Sequence, residues 1–427
     1  MPRDVWVLGL DELNLRLLGE LPHLNDYRFH SLLDLAELRT DGEVDIEALL
    51  EEARRRLDAS SAPVDAIVGY WDFPVSSMLP LLCDEYGVRG ASLESVLKCE
   101  HKYWSRLEQA EVIEEYPAFG LVPLEGEPKP PEGVRYPMWL KPVKSASSAL
   151  AFLVHDDAEL RDAVDRIRAG VDEIGEPFAH LMRYVDLPEP VAAAGGSACL
   201  AEEAIDGAQV TVEGFVQDGR VCVYGVVDSI MYPGTPSFLR YQYPSTLPDR
   251  VLDRLSDISA RVVKRVGLDH TAFNIEFFWD ELTDDIRLLE VNPRHSQSHA
   301  PLFAFVDGTP NHQCMVRLGL GLPPEVPQRE GPHAIAAKWL IRRFSDAVVL
   351  SVPSRERIEA IREEIPDAIA EVLVKPGERL SERPMQDGYS YELGWVYLGA
   401  RTEAELTEKY RRCLKGLAFA FEDVEHE

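Results

Sequence analysis

Apolar and polar positions come in blocks along this chain, and block length separates strands from helices. Residues 5–10 and 27–33 read as apolar strands, and residues 45–57 have helical spacing at Ile46, Leu49, Leu50 and Ala53. Residues 64–70 form another buried-looking strand, followed by a helix over 77–86 that stops at Gly87. Strands alternating with helices predict a small parallel sheet. Asp72, in Y-W-D-F-P, falls just past a strand end, where open α/β sheets bind ligands; a loop-capping Asp is the alternative. Gly9 follows a strand, but no G-x-G-x-x-G accompanies it, so a dinucleotide fingerprint is absent.

Further along, Ser92 is placed to cap a helix over 95–109 that carries Lys98 and Lys102. Residues 117–136 are rich in Pro, Gly and Glu and read as a loop or domain junction. A short strand over 138–141 ends in Lys141 and runs into P-V-K-S-A-S-S-A-L, whose Ser145, Ser147 and Ser148 could face phosphates; a plain polar loop is the alternative. A helix over 156–169 is followed by strands at 199–203 and 210–217. Asp218-Gly219 then predicts a tight hairpin into a return strand at 221–227. Residues 232–248 read as a loop, and 247–266 as a helix stopped by Gly267. The last unit, about 330–427, reads as strands at 333–344, 346–352 and 369–374, a helix at 354–364, and a segment at 389–398 that leads to a final helix opened by Thr402-x-x-Glu405.

The stretch with most chemical content is 273–294, F-N-I-E-F-F-W-D-E-L-T-D-D-I-R-L-L-E-V-N-P-R. Two apolar runs around an acidic, turn-prone segment predict a hairpin. A turn centred on Thr283 sets Glu276 opposite Glu290, with Asn292 two residues further on the same face. Two facing carboxylates repel unless a cation neutralises them, and a hard, oxygen-seeking ion such as Mg²⁺ suits this set. Arg294, two residues on again, could reach an anion held there. A one-residue slip would undo the pairing, and a solvated acidic hairpin is the alternative reading.

At 427 residues the chain is long enough for two to four domains. Its formal charge of −30 makes nucleic acid an unsuitable partner. No run reaches membrane-spanning length, and M-P-R-D-V-W-V-L-G-L-D-E lacks a signal-peptide pattern, so the expectation is a cytoplasmic protein without a membrane partner. Six scattered cysteines form no C-x-x-C pair, which fits a reducing compartment and argues against a cysteine zinc site.

In order, Lys102, the strand ending in Lys141-Pro, A-E-E-A-I-D-G, a helix, E-x-F and L-L-E-V-N-P-R make up a pattern that resembles the ATP-grasp superfamily over roughly residues 1–320. It looks most similar to the carbamoyl-phosphate synthase and biotin carboxylase-like branch, which includes amino-acid ligases. The resemblance implies an α/β fold of the α+β ATP-grasp type. An N-terminal domain would cover 1–95 and an ATP-grasp domain 96–320, with lobes at about 130–203 and 204–320. A β-rich α+β subdomain would cover 330–427.

It further implies that Lys102 and Lys141 contact ATP phosphates under a loop containing Ser147 and Ser148. Glu202, Glu203 and Ile205 would read adenine, Gln209 would stand at the ribose position, and Phe278 would lie under the purine. Glu276, Glu290 and Asn292 would hold Mg²⁺ or Mn²⁺, and Arg294 would hold the transferred phosphate or acyl phosphate. The phosphate loop departs from the family in having Ser and Ala where glycine is usual, and Gln209 replaces a Glu.

The expected activity is an ADP-forming carboxylate–amine ligase working through an acyl phosphate on small-molecule substrates. A bicarbonate-activating enzyme and an ATP-binding regulatory protein without turnover are the alternatives. Arg240 and His295 are candidate substrate residues, as a carboxylate clamp and a neighbour of Arg294. His295 and His299 are spaced i, i+4, but no third ligand is evident for zinc. A homodimer is left open.

Overall fold

β1 (Arg3–Leu10) is buried at six consecutive positions, as the central strand of a parallel sheet requires. It pairs in parallel with β2 (Tyr27–Asp34) on one side and β3 (Ala66–Gly69) on the other. The predicted helices follow, at Ile46–Ala59 with Asp45 as its cap and at Val75–Glu85. Their apolar faces pack with Trp6, Leu8, Met78 and Leu82 in one core. Fully burying each Leu, Met or aromatic there stabilises the fold by about 1.5–3 kcal/mol.

The structure, a computed structural model, describes residues 2–38, 44–145, 150–383 and 389–424. These divide into two compact units. The first is Met1–Tyr224, Leu247–Gln297 and Asn311–Glu325; the second is Gly225–Thr246, Ser298–Pro310 and Val326–Glu427.

Within the first unit, the single helix expected at 95–109 is two helices, Leu93–Glu100 and Lys102–Ala110. The break has a local cause. His101 leaves helical geometry (φ −84°, ψ 97°), and its imidazole caps the second helix by accepting from the Trp104 N–H at 3.1 Å. Ser92 caps the first helix, as expected.

β4 (Phe119–Val122), β5 (Met138–Pro142), β6 (Phe152–Val154) and β7 (Cys199–Glu203) form an antiparallel sheet in the order β4-β7-β5-β6. The helix Asp157–Gly170 packs Leu160, Val164 and Ile167 onto it. β8 (Ala208–Gln217) turns into β9 (Arg220–Met231) at Asp218 and Gly219, both left-handed (φ 51° and 73°), which is why an Asp-Gly pair serves there. β9 continues into the second unit, to which β10 (Phe238–Tyr243) also belongs.

The amphipathic helix Asp249–Val266 buries Val251, Leu255, Ile258, Val262 and Val266, and Gly267 ends it at φ 79°. β11 (Thr271–Trp279) and β12 (Ile286–Asn292) complete the hairpin expected at 273–294, and the strand order is β12-β11-β8.

In the second unit, β10 corrects the loop expected over 232–248. Its backbone finds partners on both sides, β9 and β13 (Ile335–Arg343), and that tertiary pairing outweighs a polar local sequence. β14 (Ala347–Ser351) pairs with β17 (Ala420–Asp423), while β16 (Tyr391–Ala400) lies between β13 and β15 (Ile369–Val372). Thr402 caps the last helix, and the Glu405 carboxylate returns to the Arg401 N–H at 3.0 Å. Trp339 stacks on Tyr410 of that helix at 3.9 Å.

Candidate active site

Three strands of the first unit present one face. Asn274, Glu276 and Phe278 alternate along β11 and lie opposite Glu213, Thr211 and Gln209 on β8. On the other side, Glu276 pairs with Glu290 and Asn274 with Asn292 on β12. Carboxylates and amides thus accumulate on a single patch because the period of every strand is two.

The Glu276–Glu290 pairing depends on an irregularity. Nearer the turn, Phe277 pairs with Leu288 and Phe278 with Arg287, so Leu289 is an extra residue on β12. A regular ladder continued from the turn would put Leu289, not Glu290, across from Glu276. Arg106 holds this bulge, donating from Nη2 to the Leu289 carbonyl at 2.6 Å.

Arg106 is fully enclosed and also donates to Glu202 at 2.6 Å and Gln109 at 2.5 Å. Lys141, one strand over from Glu202, takes the other Glu202 oxygen. Burial opposes the Glu202 charge, but Arg106 and Lys141 outweigh it and hold the carboxyl down at about 2. Burial lowers the Lys141 ammonium, and Glu202 works the other way. Lys102 lies 3.1 Å from Glu290 and donates to the Ser145 carbonyl at 2.9 Å. Burial opposes the Glu290 charge too, but Lys102 and Lys141 keep this carboxyl below the usual range. Glu276 differs: burial, then the Glu290 charge, push it up to about 7, although Gln209 donates to it at 2.8 Å.

These residues fit a hard divalent cation. The Asn292 amide nitrogen donates to Asn274 at 3.0 Å, so the amide oxygen is the atom of this side chain that can act as a ligand. A carboxyl raised to about 7 by burial first and by the facing Glu290 charge second is a group that a cation would relieve. Among the described residues no cluster of three or more His, Cys, Asp or Glu is arranged for a metal. The set is therefore two carboxylates and one amide oxygen, with places left for phosphate oxygens.

The other expected residues fall as follows. Ser147 and Ser148 lie outside the described residues. Each Glu202 oxygen already has a cation partner, and the Glu203 N–H donates to Ala118 at 2.9 Å. Ile205 and Phe278 are half-buried. Gln209 is engaged with Glu276. Arg294 forms a two-pronged bridge to Asp72, at 2.7 Å for each bond. His295 is buried, 2.7 Å from His312, which in turn is 2.7 Å from the Asn14 amide oxygen. Arg240 belongs to the second unit, where it bonds Glu403 at 2.6 Å and lies over Trp339 at 4.5 Å.

Three participants were not singled out from the sequence as site residues: Arg106, Lys144 and Glu100. Lys144 reaches Glu100 at 2.8 Å, both are buried, and Ser76 and Ser77 donate to the same carboxylate. Lys144 also sits 5.1 Å and 5.0 Å from the Phe73 and Phe178 ring centres. The only available signal was a second lysine three residues after Lys141.

Comparison with known proteins agrees with this geometry. Residues 134–300 match the ATP-grasp domain family. The carbamoyl phosphate synthase large chain of Kocuria rhizophila is 37% identical over 110 residues, 25% of this chain and 10% of that protein. The chain thus spans only about a tenth of this curated relative's length. Among solved structures, the L-amino acid ligase from Bacillus licheniformis aligns with a TM-score of 0.76 at 16% identity, covering 99% of each chain. Biotin carboxylase from Campylobacter jejuni aligns with a TM-score of 0.66 at 15% identity, covering 99% of this chain and 92% of the other. This chain therefore carries an ATP-grasp domain, and it is homologous in part to the carbamoyl phosphate synthase large chain.

Proposed function

We propose that the protein is an ADP-forming ligase that joins a carboxylic acid to an amine through an acyl phosphate. One observation carries the reading: Glu276 and Glu290 pair across adjacent strands, Asn292 lies two residues beyond Glu290, and the Lys102 ammonium is 3.1 Å from Glu290. That arrangement of anions and cations suits a triphosphate tail and its counter-ion, because phosphoryl transfer is mainly positioning and charge neutralisation. Glu276, Glu290 and Asn292 would hold Mg²⁺ or Mn²⁺, which when bound supplies charge neutralisation on phosphate oxygens.

Lys102 and Lys141 bind the phosphates, and Glu202, fixed by Arg106, orients Lys141. The acid's carboxylate oxygen attacks the γ-phosphorus, the bond from that phosphorus to the β–γ bridging oxygen breaks, and ADP leaves. Arg294 stabilises the charge on the transferred group. The amine nitrogen then attacks the acyl carbon, loses a proton, and phosphate departs with the C–O bond.

Small-molecule acids and amines are the proposed partners, in the cytoplasm. The six free cysteines suit a reducing compartment, and no helix among the described residues is long and apolar enough to cross a membrane. The test is ADP release from ATP and Mg²⁺ over a panel of carboxylic acids, with and without amines and with bicarbonate alone. Release that needs both acid and amine supports the reading; release with bicarbonate alone, or none with any mixture, refutes it.

A further inference from the structure

Residues 143–145, at the exit of β5, are joined to residues 100–102 at three points. The Lys102 N–H donates to the Val143 carbonyl at 2.8 Å, and the Lys102 ammonium donates to the Ser145 carbonyl at 2.9 Å. Lys144, between those two carbonyls, sends its own ammonium to Glu100 at 2.8 Å.

Glu100 and Lys144 are a poor choice if their task is stability alone. Their side chains keep only 6% and 5% of their exposure. Apolar residues of the same volume would hold two segments together as well or better, because a buried ion pair must first be stripped of water. What the ion pair has and an apolar pair lacks is direction. Ser76 and Ser77 donate to the Glu100 carboxylate from the Val75–Glu85 helix and fix its oxygens. The Phe73 and Phe178 rings, centred 5.1 Å and 5.0 Å from the Lys144 ammonium, limit where that group can go. The Lys144 backbone, and with it the neighbouring Ser145 carbonyl, is set by this arrangement.

The Ser145 carbonyl matters because of the other partner of Lys102. An ammonium has three N–H donors. One goes to Ser145 and a second reaches Glu290 at 3.1 Å, which leaves the third for a phosphate oxygen. Ser145 and Glu290 together hold the ammonium between them. Without Ser145, Lys102 would settle on Glu290 alone and neutralise a proposed metal ligand instead of a phosphate.

We infer that the Glu100–Lys144 pair is a positioning device for Lys102: it fixes the Ser145 carbonyl, and that carbonyl aims the Lys102 ammonium at the phosphates of the nucleotide. This rests on the ligase reading, in which Lys102 binds phosphate, and adds two residues that act through Lys102 rather than on the nucleotide.

The test is calorimetric binding of a non-hydrolysable ATP analogue with Mg²⁺ to the full chain, with adenosine binding followed by NMR. Lys144→Met alone leaves a buried carboxylate without its cation, so the pair is removed as a unit in Lys144→Met/Glu100→Gln. This variant should bind the analogue about tenfold or more weakly, as loss of one charge-assisted hydrogen bond implies. Adenosine, which has no phosphate, should keep its native affinity. Glu100→Asp is milder; it withdraws the carboxylate by one methylene and should weaken the analogue by a smaller factor. Lys102→Met should also weaken the analogue, and removing the pair from that variant should weaken it no further.

Native affinity for the analogue in the folded double variant, a parallel loss of adenosine, or a loss that adds to that of Lys102→Met would each overturn the inference. A merely structural role gives the second or third result. If the double variant does not fold, unchanged analogue binding by Glu100→Asp overturns it instead. Each of these outcomes leaves the ligase reading standing; a native protein that binds no analogue would sink both.

Discussion

Arg106 holds the carbonyl of Leu289 at 2.6 Å, and with it the bulge that brings Glu290 opposite Glu276. One buried guanidinium on the Lys102–Ala110 helix therefore sets the register of the proposed metal ligands and, through Glu202, the position of Lys141.

Replacing Arg106 by Ala is expected to destabilise the protein by roughly 3 kcal/mol, since it leaves the buried Glu202 carboxylate short of a partner. Denaturant titration measures this. A loss below about 0.5 kcal/mol, the range of ordinary surface substitutions, would show that the buried network does not have this role.

Lys144 and Glu100 make a second prediction. Both are buried, so Lys144→Met alone should cost roughly 3 kcal/mol by leaving Glu100 charged among Ser76 and Ser77. Adding Glu100→Gln should recover much of that cost. A double-mutant cycle reads the coupling directly, and simple additivity of the two losses would contradict the pairing.

Much of this fold is legible along the chain because local signals and tertiary structure agree. Asp218-Gly219 supplies the two left-handed residues its hairpin needs, and Asp45, Ser92 and Thr402 cap the helices they precede. The facing of Glu276 and Glu290 also follows from the two apolar runs of the hairpin, but only because two departures cancel. The ladder near the turn is centred half a residue earlier than Thr283, and the Leu289 bulge restores the register. Bulges have no reliable local signature, so that correction was not visible.

Nor were the buried charges. Arg106 in K-Y-W-S-R-L-E-Q has the spacing of an exposed helical residue, and its partners are 96 and 183 positions away. Similarly, β10 exists because two strands flank it, a condition outside its own six residues.

Acid should weaken the first unit through its buried histidines. Burial pushes the His101 imidazole down to about 4 and the His312 imidazole down to about 3. Both are neutral when folded and take up a proton more readily when unfolded. Their contribution is thus complete above the ordinary value of 6.5 and is lost as pH falls below it, down to the folded values. For His312 this amounts to something on the order of 5 kcal/mol over that whole range. Unfolding followed from pH 7 to 4 should show the slope, and His312→Gln should flatten it; an unchanged slope would contradict the assignment.

Divalent-cation binding should depend on pH in a related way. With Glu276 at about 7 before a cation binds, an incoming cation must displace its proton. Affinity for Mg²⁺ with a non-hydrolysable ATP analogue should therefore fall about tenfold per pH unit below 7 and level off above it. Calorimetry in buffers of different ionisation enthalpy should register the released proton. An affinity flat from pH 5.5 to 8.5 would count against Glu276 as a ligand.

The central claim is that carboxylates of adjacent strands share a cation with the tail of a nucleotide. Glu290→Gln keeps the size and hydrogen-bonding capacity of the side chain and removes its charge. The measurement is ADP formation by this variant under conditions where the native protein turns over, with circular dichroism as a check on folding. A folded protein with ADP formation abolished is the predicted result; a folded protein with full turnover would contradict the account.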